Sequence, residues 1–173
     1  MENEYMALPA IRNIMERKSV RSYDSRTVEE EKIDAILRAG MAAPSGKNVQ
    51  PWELVVVSDR ARLEAMAEAL PYAKMLKDAP VAIVVAADTR KSPYWYLDCS
   101  AVTENILLAA EALGLGAVWT ATYPYRERMD VVKKECGFPQ GIDSLCVIPL
   151  GYPARDYKPR EKYDPEKIHR EVF

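Results

Sequence analysis

Eight consecutive apolar residues, Ala79-Pro80-Val81-Ala82-Ile83-Val84-Val85-Ala86, constrain this chain more than any other stretch. A strand with one wet face alternates apolar and polar residues, whereas an unbroken apolar run reads as a central strand buried on both faces. Helix and strand patterns flank it. Residues 7–17 read as a helix with apolar positions at Leu8, Ile11, Ile14 and Met15. Thr27-Val28-Glu29-Glu30 resembles a capping box, and Ile33, Ile36 and Leu37 then form one face of a helix ending near Gly40. Glu53 to Val57 reads as a strand. Residues 60–70 read as a helix with Leu63, Met66 and Ala67 inward, ended by Pro71. Residues 94–113 form the longest predicted helix. Val102, Ile106 and the run Ala109 to Leu113 give it an almost wholly apolar C-terminal half, which belongs inside the fold or at a subunit interface. Gly114 stops it. A strand over Leu115 to Ala121, a helix over 125–136 and a strand over Ser144 to Leu150 complete the pattern, which is α+β.

All of this fits a single domain over residues 1–173. The segment Tyr152 to Phe173 is rich in Pro, Lys, Arg, Asp and Tyr and has too few apolar residues to fold alone. It reads either as an extended arm laid on a neighbour, with Tyr152, Tyr157, Tyr163 and Phe173 as contact area, or as a loosely ordered tail.

Several function classes are disfavoured. A net charge of −2 argues against a nucleic-acid-binding surface. No apolar run reaches membrane-spanning length, and the start Met1-Glu2-Asn3-Glu4 is acidic, unlike a secretory signal peptide. The expectation is a soluble cytoplasmic protein. The cysteines Cys99, Cys136 and Cys146 are odd in number and lack C-x-x-C spacing, so buried, inert thiols are expected rather than a disulfide framework or a metal site. The lone histidine, His169, makes a Ser-His-Asp hydrolase improbable and excludes any site needing two histidines. Gly114-Leu115-Gly116 invites a dinucleotide-fold reading, but Trp119 stands where a third glycine is required. These glycines also follow a helix and precede a strand, the reverse of that fingerprint.

Two segments carry polar chemistry that neither helix nor strand requires. Ala43-Pro44-Ser45-Gly46-Lys47-Asn48-Val49-Gln50-Pro51-Trp52 sets hydroxyl and amide side chains in series beside an aromatic. It can present these groups to a flat heteroaromatic ligand, or it is only a helix stop, a turn and a strand start. Arg17-Lys18-Ser19-Val20-Arg21-Ser22-Tyr23 combines cations and hydroxyls suited to a phosphate. Its plain alternative is a helix C-terminus whose cations complement the dipole.

These two segments, then Gly114-Leu115-Gly116-Ala117-Val118-Trp119 and a basic Lys158-Pro159-Arg160 in the same order, resemble the FMN-dependent nitroreductase family over nearly the whole chain. The resemblance implies a three-layer α+β fold with a central mixed sheet flanked by helices. It also implies a homodimer in which residues 152–173 wrap the partner and two flavins lie at the interface.

Position by position, Arg17 and Ser19 match the phosphate and ribityl contacts, and Lys18 contributes mainly backbone. Arg21 matches the cation beside the pyrimidine edge of the ring. Pro44, Ser45, Asn48 and Gln50 match the loop lining the ring, supplied by the other subunit. Lys158 and Arg160 match the basic pair completing the phosphate site. Thr120, Ala121 and Thr122 match the strand end whose backbone N–H groups face the ring's N5 and O4. Longer relatives often carry Glu-Gly at the positions of Ala121 and Thr122, so any role of an acidic side chain is absent here. Lys74 matches a ring-contacting lysine, while the Asn that accompanies it in longer relatives has no counterpart.

No residue of the chain is itself expected to be catalytic, because the chemistry belongs to FMN, with NAD(P)H as co-substrate and a nitroaromatic or quinone-like acceptor in a ping-pong reaction. Tyr72, Tyr94, Trp95, Tyr123 and Tyr125 are candidates for the acceptor pocket, or equally core or interface residues. The rival readings are a non-catalytic FMN-binding protein for storage or sensing, a dehalogenase or flavin-fragmenting relative, and a dimer without a cofactor.

Overall fold

A computed structural model describes residues 4–173; Met1 to Asn3, most of the acidic start, lie outside the described residues. Five α-helices and five strands follow a short 3₁₀ turn, Glu4–Ala7. They are α1 (Pro9–Glu16), α2 (Glu30–Met41), β1 (Trp52–Val57), α3 (Arg60–Ala69), β2 (Val81–Asp88), α4 (Trp95–Ala112), β3 (Gly116–Ala117), β4 (Thr120–Ala121), α5 (Arg126–Cys136) and β5 (Ile142–Gly151).

The sheet runs β1-β2-β5-β3, with β4 also paired to β5. The strand pairs are antiparallel, and an isolated parallel bridge between Ser19 and Ala117 makes the sheet mixed. β2 is buried along its whole length. Its side chains divide by parity, as a strand requires. Val81, Ile83, Val85 and Ala87 enter one core with Ile33 and Ile36 of α2 and Val102 and Ile106 of α4. Ala82 and Val84 enter a second core with Leu63 and Met66 of α3 and Val132 of α5. The unbroken apolar run is thus explained by helices on both faces. No helix among the described residues is long and apolar enough to cross a membrane.

Three local expectations change. Thr27 does not cap α2, which starts at Glu30 with Glu29 in the cap position and no side-chain cap bond. The Glu29 carboxylate instead accepts from the Tyr152 hydroxyl at 2.7 Å. The apolar side of α1 is not core. Leu8 is 52%, Ile14 52% and Met15 45% exposed. The strand expected over Leu115 to Ala121 is split into β3 and β4. Its register is unbroken, Ala117 opposite Leu150 and Thr120 opposite Val147. Val118 therefore falls opposite Pro149, which has no N–H to give the ladder.

The thiols stay apart. Cys99, Cys136 and Cys146 are free, and burial pushes the Cys99 and Cys146 thiols up to about 12. At neutral pH both are protonated and unreactive.

Candidate functional site

The Arg17–Tyr23 segment is extended and lies along the sheet edge. The Val20 N–H donates to the Ala117 carbonyl at 3.0 Å, and Ser19 bridges the same residue. Gly116 permits this approach, because a Cβ there would stand 2.5 Å from Val20 Cγ1. Val20 is fully buried. In an extended chain the odd-numbered neighbours then share the opposite face, which places Arg17, Ser19 and Arg21 together. Lys18 is turned away and pairs with Glu111 of α4. Arg17 Nε lies 3.4 Å from Glu104 of the same helix.

The start of the C-terminal segment packs on this motif within its own chain. Asp24 N–H donates to the Tyr152 carbonyl at 3.0 Å, and Ala154 N–H donates to the Ser22 carbonyl at 3.1 Å. The Tyr157 hydroxyl lies 2.7 Å from Ser22 Oγ and accepts from Arg21 N–H at 3.3 Å. Burial works to raise the Tyr157 phenol's pKa, but hydrogen bonds from Ser22, Arg155 and the Arg21 N–H outweigh it and hold the phenol below the ordinary tyrosine range.

Beyond this clip the segment brings Lys158 and Arg160 opposite Arg17, Ser19 and Arg21 across a cleft of 490 Å³. Arg155, Tyr157, Lys18 and Lys162 complete its lining, so seven cationic residues and no acidic one line it, Lys18 with its ammonium directed to Glu111. Arg21, Lys158, Arg160 and Lys162 have no carboxylate partner among the described residues. Such a concentration of unpaired like charge suits a phosphate.

Arg21 also lines a second cavity of 410 Å³ with Tyr72, Lys74, Trp119 and Thr120. The Lys74 ammonium is tied to the Glu68 carbonyl at 2.8 Å, so this expected ring contact lines the cavity while bonded to its own chain. Thr120 and Tyr72 in turn share a third crevice with Ala121 and Arg128. The structure therefore strings the Arg17, Arg21, Lys74 and Thr120–Ala121 positions into one run of adjoining cavities.

One expected donor drops out. Thr122 N–H is bonded to the Leu145 carbonyl at 2.9 Å, and its side chain is fully buried against Ser144. Bonding alternates along an antiparallel pair. Thr120 and Thr122 therefore turn their N–H groups to β5, and Ala121 turns its own outward at an exposed position.

The loop Pro44–Gln50 lines none of these cavities. It sits at the start of α4, where Gly46 N–H donates to Asp98 Oδ1 at 2.9 Å. Arg17 and Lys18 meet the same helix at Glu104 and Glu111, roughly 10 to 20 Å further along its axis at 1.5 Å per residue. One chain thus does not bring these two motifs together.

Lys47, Asn48 and Gln50 all have positive φ, at 54°, 56° and 51°. Each costs on the order of 1 kcal/mol relative to ordinary backbone, least for Asn. Ser45 Oγ holds the loop by accepting from Gln50 N–H at 3.0 Å, and Asn48 Oδ1 accepts from Gln50 Nε2 at 3.0 Å. Asn48 Nδ2 and Gln50 Oε1 are left as a donor and an acceptor side by side. Lys47→Gly should raise stability by about 0.5–1 kcal/mol, since glycine escapes the left-handed penalty at a smaller unfolded-state entropy cost. Urea unfolding checks this; a loss of stability would show that the loop is not strained there.

Asp98 was not singled out in the sequence, although a carboxylate in the first turn of an otherwise apolar helix is a signal. Arg155, Tyr157 and Lys162 were missed as site residues because they lie in what reads as tail. Their signal is the basic spacing around Lys158 and Arg160. The five aromatic candidates separate. Trp95 is 8% exposed and meets Tyr123 edge-on at 4.9 Å, and Tyr123 stacks on Tyr96, so these belong to the core. Tyr94 covers Gly46, while Tyr72 and Tyr125 flank Arg128.

The chain matches the family model described as Nitroreductase family over residues 14–71 and 65–152. It is similar to the crystal structure of a candidate NADH dehydrogenase/NAD(P)H nitroreductase from Bacteroides thetaiotaomicron, with 63% identity, a TM-score of 0.94, and 95% of this chain and 98% of that one covered. A structure of an FMN-dependent nitroreductase from Clostridium difficile shares 32% identity and a TM-score of 0.89 over 93% of this chain and 98% of that one. A candidate NADH dehydrogenase/NAD(P)H nitroreductase from Methanothermobacter thermautotrophicus is 43% identical over 100% of this chain and 92% of its own length.

Proposed function

The chain belongs to the nitroreductase family, and from that premise we propose that it is an FMN-dependent oxidoreductase, cytoplasmic and homodimeric, that carries two electrons from NAD(P)H to a flat, electron-poor acceptor such as a nitroaromatic or a quinone. The observation that carries this reading is the run of adjoining cavities, cationic at one end and joined through Arg21 to an aromatic end at Ala121. The donor set fits FMN. Arg17, Ser19, Lys158 and Arg160 supply charge and hydrogen bonds for a phosphate dianion. Arg21 supplies a fixed cation for the pyrimidine edge, and Ala121 N–H an outward donor beyond it. Held there, FMN would supply the chemistry: acceptance of a hydride from NAD(P)H and delivery of two electrons to the acceptor.

The homodimer is supported by two observations. Ile14 and Met15 of α1, with Leu8 just before it, are exposed in the single chain, and the strained Pro44–Gln50 loop lines none of the three adjoining cavities of its own chain. In such a dimer Pro44, Ser45, Asn48 and Gln50 would line the ring of the partner's flavin, and the chain beyond Tyr157 would lie on the partner.

Reconstitution with FMN tests the reading. The expected result is about one FMN retained per chain, bleached by NADH or NADPH without oxygen and recoloured by a nitroaromatic. No retained flavin absorbance would sink it. Retained flavin that neither nucleotide bleaches would favour a storage or sensing protein.

A further inference from the structure

We propose that Arg128 selects the electron acceptor, favouring flat aromatic acceptors that carry a carboxylate. The inference rests on the reading that the flavin ring lies against Ala121. Arg128 sits in the first turn of α5, its guanidinium carbon 3.8 Å from the Tyr125 ring centroid and 5.3 Å from that of Tyr72. The same crevice is lined by Thr120 and Ala121, so the clamp stands at the end of the site where the ring's reacting edge is expected.

Arg126, two residues away, is bonded to Asp143. Arg128 has no carboxylate partner among the described residues, only the two rings. Tyr72 is 73% and Tyr125 46% exposed, so the clamp is a surface feature rather than core packing. Stacking orients a guanidinium and restrains its rotation, while its in-plane N–H groups stay open to a planar oxyanion, which they grip with two parallel bonds. The surroundings favour negative charge. The three adjoining cavities contribute Arg21, Lys74 and Arg128 around the ring end, and none of their lining residues is acidic. A neutral acceptor gains nothing from this arrangement; a nitrobenzoate does.

The test uses the FMN-loaded enzyme with 4-nitrobenzoate and the uncharged 4-nitrobenzyl alcohol as acceptors. The quantity read is the ratio of their kcat/KM values. In Arg128→Gln the ratio should fall about tenfold or more, carried by the KM for nitrobenzoate, because a charge-assisted bidentate contact is lost. Arg128→Lys, which keeps the charge but not the fork, should fall between parent and Arg128→Gln. Arg126→Gln should leave the ratio as in the parent. Added salt should lower the parent ratio and hardly move that of Arg128→Gln. Benzoate, which is not reduced, gives a readout independent of turnover: calorimetric affinity for the holoenzyme should weaken about tenfold in Arg128→Gln.

An unchanged ratio overturns the proposal. So does an equal loss for both acceptors, which would make Arg128 a structural residue, or a loss confined to flavin reduction by NAD(P)H, which would assign it to the donor. A parent enzyme that retains and reduces FMN but does not discriminate defeats this inference alone, whereas a parent that retains no FMN defeats it together with the functional reading.

Discussion

A chain ending at Pro153 is expected to lose FMN retention and dimerisation together while its core stays folded. None of residues 154–173 is buried, so the truncation removes no core side chain. It does remove Tyr157, which ties the segment to Ser22 and to the Arg21 backbone, and with it Arg155, Lys158, Arg160 and Lys162. That takes four of the seven cations from the lining of the cationic cleft. If the chain beyond Tyr157 also lies on the partner, the interface shrinks at the same time. Obligate interfaces commonly bury more than about 2,000 Å² in total. Sedimentation velocity, flavin absorbance and the far-ultraviolet spectrum of the truncated chain read all three properties. A truncated protein that stays dimeric and yellow would make the segment a loose appendage and remove Lys158 and Arg160 from the site.

Arg17→Ala should weaken FMN binding by about 10- to 100-fold, the worth of a charge-assisted phosphate contact of about 1.5–3 kcal/mol. Its effect on the stability of the apo-protein should be the smaller one, about 1 kcal/mol. The ion pair itself contributes little, since Glu104 sits 3.4 Å away with its side chain 48% exposed and water replaces the lost guanidinium. The cost that remains is packing, because the Arg17 side chain is only 16% exposed. Flavin titration and thermal unfolding of the apo-protein separate the two quantities. Equal flavin affinity in mutant and parent would return Arg17 to the role of a helix-end cation.

The layered core was legible because it rests on local pattern. The run Val81 to Ala86 reads as a strand covered on both sides, and the parity of Ile83 and Val85 against Ala82 and Val84 divides its side chains between two helical layers. The helix expected over 94–113 and the strand expected from Glu53 were legible in the same way, and each starts within one residue of that reading, at Trp95 and Trp52. The cap of α2 was misread because Thr27 satisfies a sequence pattern, while a residue 123 positions away, Tyr152, engages Glu29. The strand after Gly114 was read as one because nothing near Val118 shows that its opposite neighbour is Pro149.

The site divides along the same line. The residue types in Arg17–Arg21, Pro44–Gln50 and Lys158–Arg160, and their order, are properties of the chain, and the family resemblance they carry is what pointed to a phosphate-bearing flavin. Which of them meet is not. Gly116 admits Val20, Val20 turns Arg17, Ser19 and Arg21 to one face, and Tyr157 docks the distal cations opposite them. Thr122 is removed from the donors by a bond to Leu145, and Arg128 gains its setting from two tyrosines that precede it by 56 and 3 positions. Composition and periodicity act through neighbours along the chain, so the sequence determined the elements, their layers and the chemistry available. Hydrogen-bond partners and close approaches depend on distances between segments remote in sequence, and these only the tertiary structure decided.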